Sequence, residues 1–290
     1  MNPDLLVAEL DRYFRVPEVR NDDWSGTFEF LYPDPYWREF VEPGYEGRWN
    51  GLVVRGADEV ARVATCVFPS DEIIAGLEPG TFLFSEHPIS FEDDRAGFAP
   101  LSRASFERMK REGIGFYQVH APLDQHPEIS PSRLVAEGLG LRDLDEYFPI
   151  ADGIPGGAVI AGDADATVAE LATSLRAFLG DEVPIRLATH RNRPAGRVAI
   201  AAGGGAEVAI LEASLERGCT TFVSGNIATR CRLDFVQEGV RGFRGRAERE
   251  NVALVDATHY GLEKPPQIAM LEWFRERGLR AEFRPGRPES

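Results

Sequence analysis

Lysine is nearly absent from this sequence: among 32 basic residues, only Lys110 and Lys264 are lysines. A Schiff-base enzyme needs a desolvated lysine amine, and a GK[ST] phosphate loop needs a lysine after its glycines, so both classes have almost nowhere to sit. Cysteine is scarce too. The three, Cys66, Cys219 and Cys231, are odd in number and lack CxxC spacing, which argues against a disulfide framework or a zinc ribbon and leaves each as a small core residue. No segment approaches the roughly 18 uninterrupted apolar residues of a membrane span. The opening MNPDLLVAELDRYF carries acidic residues where a signal peptide carries basic ones, so the expectation is a cytoplasmic protein with no membrane partner. No GxSxG is present either, which disfavours a serine hydrolase.

What is present suits a soluble globular protein. A chain of 290 residues, 43% hydrophobic, can bury a substantial core as one large or two small domains. Its formal charge of −15 repels phosphate backbones over most of the surface, which argues against nucleic acid as the main partner.

Short apolar runs alternate with amphipathic segments along the chain. The predicted strands are GLVVRG from Gly51, ARVATCVFPS from Ala61, TFLFSEHP from Thr81 and GIGFYQVHAPLD from Gly113. They continue with GGAVIAGD from Gly156, VPIRLATH from Val183, RVAIAAGGG from Arg197, TTFVSGN from Thr220 and NVALVDATH from Asn251. Helical patterns lie between many of them, including residues 166–179, 206–218 and 266–278. This alternation predicts an α/β fold. The Gly/Pro-rich PIADGIPGG, Pro149 to Gly157, is the expected boundary between lobes spanning approximately 1–150 and 151–285.

Polar, reactive residues gather where the apolar runs end, and in α/β sheets ligand sites form beyond the carboxyl ends of strands. Glu86 and His87 follow TFLFS, His120 and Asp124 follow the run ending in Val119, and His259 follows NVALVDAT. Each motif also has a plain reading. SEHP is equally a solvated turn stopped by Pro88, because adjacent side chains of an extended segment point to opposite faces unless the chain turns. HAPLDQHP is equally a polar loop with a buried, hydrogen-bonded His120 and an exposed His126, Asp124 being the better ligand of the three. In DATHYGLE, the four-residue spacing of His259 and Glu263 suits a shared metal or a surface pair. Pro265 and Pro266 predict that the regular helix begins only near them, leaving His259 and Glu263 on the turn before it.

Taken together and in order, WNGLVV (Trp49 to Val54), SEHP, HAPLD, AAGGGAE (Ala201 to Glu207) and THYGLE resemble the motifs of the Ngg-interacting factor three-like family. These are hexameric, type-two GTP cyclohydrolase-like proteins with a dinuclear metal centre. The similarity runs from about Asn50 to Leu279. It implies one family unit over 1–290: two interlinked α/β lobes with mixed sheets and a metal site between strand ends. Three departures stand out. Glu86 replaces the first histidine of a His-His-Pro, Thr258 replaces the glycine before the last histidine, and SGNIATR (Ser224 to Arg230) replaces a Thr-Gly-Asp/Glu-His pattern. Residues 16–48, rich in aromatics, look like an insertion serving as lid, oligomer contact or local cap.

Carried onto this sequence, the resemblance implies that Glu86, His87, Asp124, His259 and Glu263 surround two divalent metal ions. Two imidazoles and three carboxylates suit Zn, Mn or Fe, with Glu86 shifting one position towards Mn or Mg. Asp124 and Glu263 would bridge the ions, and His120 would act beside them as a supporting group or proton carrier. The implied protein is a homo-hexameric metal-dependent hydrolase acting on a nucleotide or another phosphorylated small molecule. The alternative is a non-enzymatic metal-binding scaffold or regulatory protein. Gly203 to Gly205 read as a tight strand-to-helix turn or, less simply, as a phosphate cradle, and Ser224 and Asn226 as lining the same cleft.

Overall fold

A computed structural model describes residues 1–22, 32, 34–92, 97–228 and 233–286. The strands of the first half are β1 (Gly51–Val54), β2 (Arg62–Cys66), β3 (Phe82–Ser85), β4 (Ser90–Glu92), β5 (Gly97–Ala99) and β6 (Gly115–Gln118). The second half supplies β7 (Arg142–Tyr147), β8 (Val159–Thr167), β9 (Leu187–Ala188), β10 (Pro194–Ala201), β11 (Thr221–Ser224), β12 (Ala253–Asp256) and β13 (Arg280–Phe283). The first sheet has the order β1-β6-β3-β2-β13, and the second β7-β8-β10-β11-β12-β9. Both are mixed. In the first, only β1 runs antiparallel to its neighbour; in the second, β10, β11 and β12 are parallel and flanked by antiparallel partners.

The interior strands are mostly apolar because both sheet faces are covered, with polar residues such as Ser85, Gln118, Ser224 and Asp256 at their carboxyl ends. β3, β6, β11 and β12 are buried at every position, which is why they read as continuous hydrophobic runs. The sequence-predicted strands that carry the sheet centres are all present. Three of the four sheet edges depart from expectation, β1 being the exception. β7 (RDLDEY) is mostly exposed or half-buried, β13 is similar, and neither carries an apolar run. VPIRLATH contributes only the two-residue β9. An edge strand has one open side, so it is set by backbone pairing with a neighbour rather than by burial of its own side chains.

The helix His259–Arg275 joins the two sheets. It leaves the carboxyl end of β12 in the second sheet and packs on β2 and β13 of the first, and also on helices Pro131–Gly138 and Val168–Leu179. The strand that follows it, β13, pairs with β2. The chain thereby crosses between sheets just where its polar motifs lie.

Of the aromatic segment predicted as an insertion, residues 23–31 and 33 lie outside the described residues. The described part caps the first sheet. Tyr32, Trp37 and Tyr45 are buried in one cluster with Val53, Leu83, Phe106 and Phe116, and Tyr36 Oη donates to the Leu101 carbonyl at 2.5 Å. Cys66 and Cys219 are buried, as expected of small core residues, and Cys231 lies outside the described residues.

Candidate metal centre

Glu86 and His87 follow β3, and the chain turns there so that both side chains are buried. The turn is held by its neighbours. Ser85 Oγ donates to the His87 carbonyl at 2.5 Å, and Gln118 Nε2, on the adjacent β6, donates to the Glu86 carbonyl at 2.9 Å. Tyr45 Oη donates in turn to Gln118 Oε1 at 3.0 Å. The Phe68 ring stacks on His87, with centroids 4.5 Å apart and planes inclined at 20°, and stands edge-on to His259 at 5.1 Å.

His120 and Asp124 follow β6, Asp124 closing the short helix Ala121–Asp124. The backbone N–H of His120 donates to Asn50 Oδ1 at 2.8 Å. Its ring lies between two carboxylates: Nε2 is 3.7 Å from Asp124 Oδ2, and Nδ1 is 3.6 Å from Asp22 Oδ1.

His259 and Glu263 sit on the helix itself, which corrects the expectation that regular helix begins near Pro265. The helix starts at His259 and runs through both prolines. Thr258 caps it by accepting the Gly261 N–H at 3.0 Å, and burial of the first turns between the sheets outweighs the roughly 3 kcal/mol that an interior proline costs. Helical spacing then places His259 Nε2 2.8 Å from Glu263 Oε1. The other oxygen, Oε2, is 2.8 Å from His87 Nε2.

Two ligand-capable groups result among the described residues, His87–His259–Glu263 and Glu86–Asp124–Glu263, with candidate ligand atoms within 4.8 Å of one another in each. Glu263 belongs to both. All five sequence-predicted ligands are thus brought to one place, with His120 beside them.

The electrostatics are those of crowded, buried acids. Burial, then the charges of Glu263 and Asp124, hold the Glu86 carboxyl well above the usual carboxylate range. Burial pushes Asp124 up to about 7 despite His120 nearby. Burial also acts on Glu263, but His259 and His87 outweigh it and bring that carboxyl down to about 2. Burial lowers His87 to about 4. For His120 burial is opposed by Asp22, Asp124 and Glu263, and the result is upward.

These residues fit a cation. Among the described residues the Glu86 Oε1 atom is buried with no hydrogen-bond partner, and a buried acceptor in that condition is costly unless something positive faces it. Imidazole with carboxylate is a transition-metal donor set. Gly203, at φ 64°, lies so close that a Cβ there would meet Glu263 Oε1 at 2.0 Å and His259 Nε2 at 3.0 Å. The triple glycine is therefore a tight strand-to-helix turn whose first residue must lack a side chain to clear Glu263 and His259. Gly225 does the same beneath the His259 backbone, where an added Cβ would lie 2.5 Å from the His259 Cα. Just before it Ser224 is buried, and beyond it Asn226 Nδ2 comes within 3.5 Å of a Cβ position on Gly204.

His126 is not the exposed loop residue the sequence suggested. It is buried, its ring 4.5 Å from that of Tyr13, and Nδ1 accepts the backbone N–H groups of Glu128 and Ile129 at 3.2 and 3.3 Å. It caps a turn away from the cluster. Conversely, sequence reasoning missed Asp22, Phe68 and Gln267. Gln267 is buried and its Nε2 reaches Glu86 Oε2 at 3.5 Å; its place four residues after Glu263, continuing the stripe from His259, was a signal available in the sequence.

The description Duf34/NIF3 (NGG1p interacting factor 3) belongs to the family model that matches residues 39–283. Two curated relatives carry the name "GTP cyclohydrolase 1 type 2 homolog". One, from Deinococcus radiodurans, is 27% identical over 139 residues, 45% of this chain and 47% of that protein, so this match spans about half of the relative's length. The other, from Vibrio cholerae, is 25% identical over 232 residues, 78% of this chain and 84% of that protein. Among solved structures, a protein from Thermus thermophilus has the same fold, with a TM-score of 0.63 and 21% identity over 98% of this chain and 97% of its own. A family match over residues 39–283, through the last strand, shows that this chain belongs to the Duf34/NIF3 family.

Proposed function

We propose that this chain is a dinuclear metal-dependent hydrolase acting on a nucleotide or another phosphorylated small molecule. The observation that carries the reading is Glu263, whose two carboxylate oxygens each lie 2.8 Å from a different histidine and which is common to both ligand groups. A carboxylate so placed would serve both ions of a two-metal site. Asp124 is the second candidate bridge.

On this reading Glu86, His87, Asp124, His259 and Glu263 hold two divalent ions, of Zn, Mn or Fe, with Mg admitted on the carboxylate-rich side. When bound, such ions lower the pKa of a shared water towards neutrality and stabilise charge on a substrate oxygen. The chain's own residues do the rest. Glu263 stays ionised between two imidazoles, Phe68 shields one face of His87, and His120, 3.7 Å from Asp124, is placed to carry a proton. The names of the relatives support a nucleotide as substrate, and the charge of −15 argues against nucleic acid as partner. No helix among the described residues is long and apolar enough to cross a membrane; a cytoplasmic homo-hexamer belongs to the same proposal.

The test is a panel of GTP, other nucleotides, phosphodiesters and cyclic amides offered to metal-loaded protein. Turnover of at least one compound is expected. It should be lost in Asp124→Ala while circular dichroism and the mass from light scattering, several times 32.1 kDa, are retained. No turnover across the panel, together with capture of a specific partner, would put the non-enzymatic scaffold in its place.

A further inference from the structure

Among the five candidate ligands, Asp124 has the least local support. Glu86 and His87 follow directly on β3, and His259 and Glu263 lie on a helix of 17 residues. Asp124 ends a helix of only four, too short to hold its own shape. The next residue fixes it. Gln125 is 1% exposed, and its carboxamide is bonded on every side to the loop that joins β7 to β8 of the second sheet. Oε1 accepts the backbone N–H groups of Ile150 and Ala151, both at 2.7 Å, and Nε2 donates to the carbonyls of Ala151 and Gly156, both at 3.3 Å. A carboxamide has two acceptor and two donor positions, so this one is filled, and turning it over would set like against like at each bond.

The loop is itself tied down at both ends. Asp152 and Arg20 exchange backbone hydrogen bonds of 2.9 and 2.8 Å. Ser132 Oγ donates to the Ala158 carbonyl at 2.6 Å and accepts the Ala202 N–H at 3.1 Å. Ala202 directly precedes Gly203, the residue that abuts Glu263. Gln125 is thus anchored to a fixed part of the second sheet, although it follows β6 of the first.

We propose that Gln125 is a positioning residue that transmits the position of the second sheet to Asp124. It holds the Asp124 carboxylate opposite Glu263, so the ligand group Glu86–Asp124–Glu263 is complete only while Gln125 is bonded to the β7–β8 loop. This deepens the two-ion reading above and rests on it. The other group, His87–His259–Glu263, does not include Asp124 and keeps its geometry without Gln125. Linkage is reciprocal: an ion held by Asp124 must in return slow the opening of the loop.

The experiment is amide hydrogen exchange, read by NMR, on chelator-stripped protein with and without added zinc, the zinc bound per chain being counted by elemental analysis. In wild type, zinc is expected to slow exchange at Ile150 and Ala151 roughly tenfold more than at a remote amide. The reference is Ala57, whose N–H is held by the Gly113 carbonyl at the opposite end of β6. In Gln125→Met the extra slowing should vanish and the zinc count fall by one ion per chain, the histidine group staying filled. A merely structural loss would weaken both groups alike. Gln125→Glu, which keeps the two acceptors and loses the two donors, stands in if the methionine variant does not fold. Wild type that binds two ions without the slowing, or a variant that retains both ions, overturns the proposal. Wild type that takes up fewer than two ions fails the two-ion reading instead, and metal-free exchange then decides the role of Gln125. The amides of Asp124 and Gln125, bonded to the His120 and Ala121 carbonyls, should exchange roughly tenfold faster in the variant. Unchanged rates there overturn the role.

Discussion

Gly203 and Glu263 touch so closely that no other residue fits at 203: an added Cβ would lie 2.0 Å from the Glu263 carboxylate, at a backbone φ of 64°. Gly203→Ala is therefore expected to lose about 1–2 kcal/mol to the left-handed backbone alone, and to displace a ligand carboxylate as well. Thermal melts with elemental analysis should show a lower melting temperature and reduced metal content. An alanine variant with wild-type metal content would show that Glu263 need not sit where it is.

Purified protein is expected to carry up to two transition-metal ions per chain, and the double change His259→Ala with Glu263→Ala to abolish them, since Glu263 belongs to both ligand groups. Elemental analysis after gel filtration decides this. Metal retained by the double variant would move the centre elsewhere.

The acids give the metal-free protein a pH dependence of definite sign. Asp124 rises from 3.8 to about 7 on folding, so the folded state binds the extra proton, and stability falls as pH climbs through that interval. Glu86 shifts the same way. Glu263, lowered from 4.5 to about 2, acts oppositely, and its contribution disappears only as pH falls below the usual carboxylate range. Above the ordinary imidazole range, where His87, lowered to about 4, no longer opposes it, the melting temperature in the presence of a chelator should decline towards pH 8 as Asp124, at about 7, loses its proton. Metal-loaded protein should decline less, and metal uptake should release protons and tighten as pH rises. A flat chelated profile would contradict the buried charge cluster.

Thr258 is held at φ 62° and ψ 152°, a region that costs a residue with a side chain on the order of 1–3 kcal/mol. Its hydroxyl caps the ligand helix, a contact worth about 1 kcal/mol against alanine and only a few tenths against glycine. Thr258→Ala should therefore destabilise by about 1 kcal/mol, losing the cap and keeping the strain. Thr258→Gly should be neutral or stabilising. Denaturant titrations of the pair separate the two effects, and equal losses in both would mean that the strain is absent.

Much of this protein was legible before its structure. The runs at the sheet centres announced β2, β3, β6, β10, β11 and β12 because strands buried on both faces read as near-continuous apolar runs. The polar residues that interrupt them, Glu86, His87, His120, Asp124 and His259, stood out for the same reason. Glu86, His87, His120 and Asp124 converge because β3 and β6 are neighbours in the first sheet, whereas His259 follows β12 of the second and meets them only through the packing of its helix. His126 was misread because its surroundings, the Tyr13 ring and the turn it caps, are not coded in its own neighbourhood.

The sequence by itself determined which segments are buried and which reactive residues follow them, since local periodicity reports local burial. Only the tertiary structure decided where the helix of His259 begins, because helix-breaking prolines are overridden by packing against the first sheet and two neighbouring helices. It alone decided the edge strands, which owe their form to a neighbour's backbone rather than to their own side chains. It alone brought Asp22 to His120 and Gly203 to Glu263. Contacts between residues so far apart along the chain depend on how the layers stack, and no pattern within either segment carries that information.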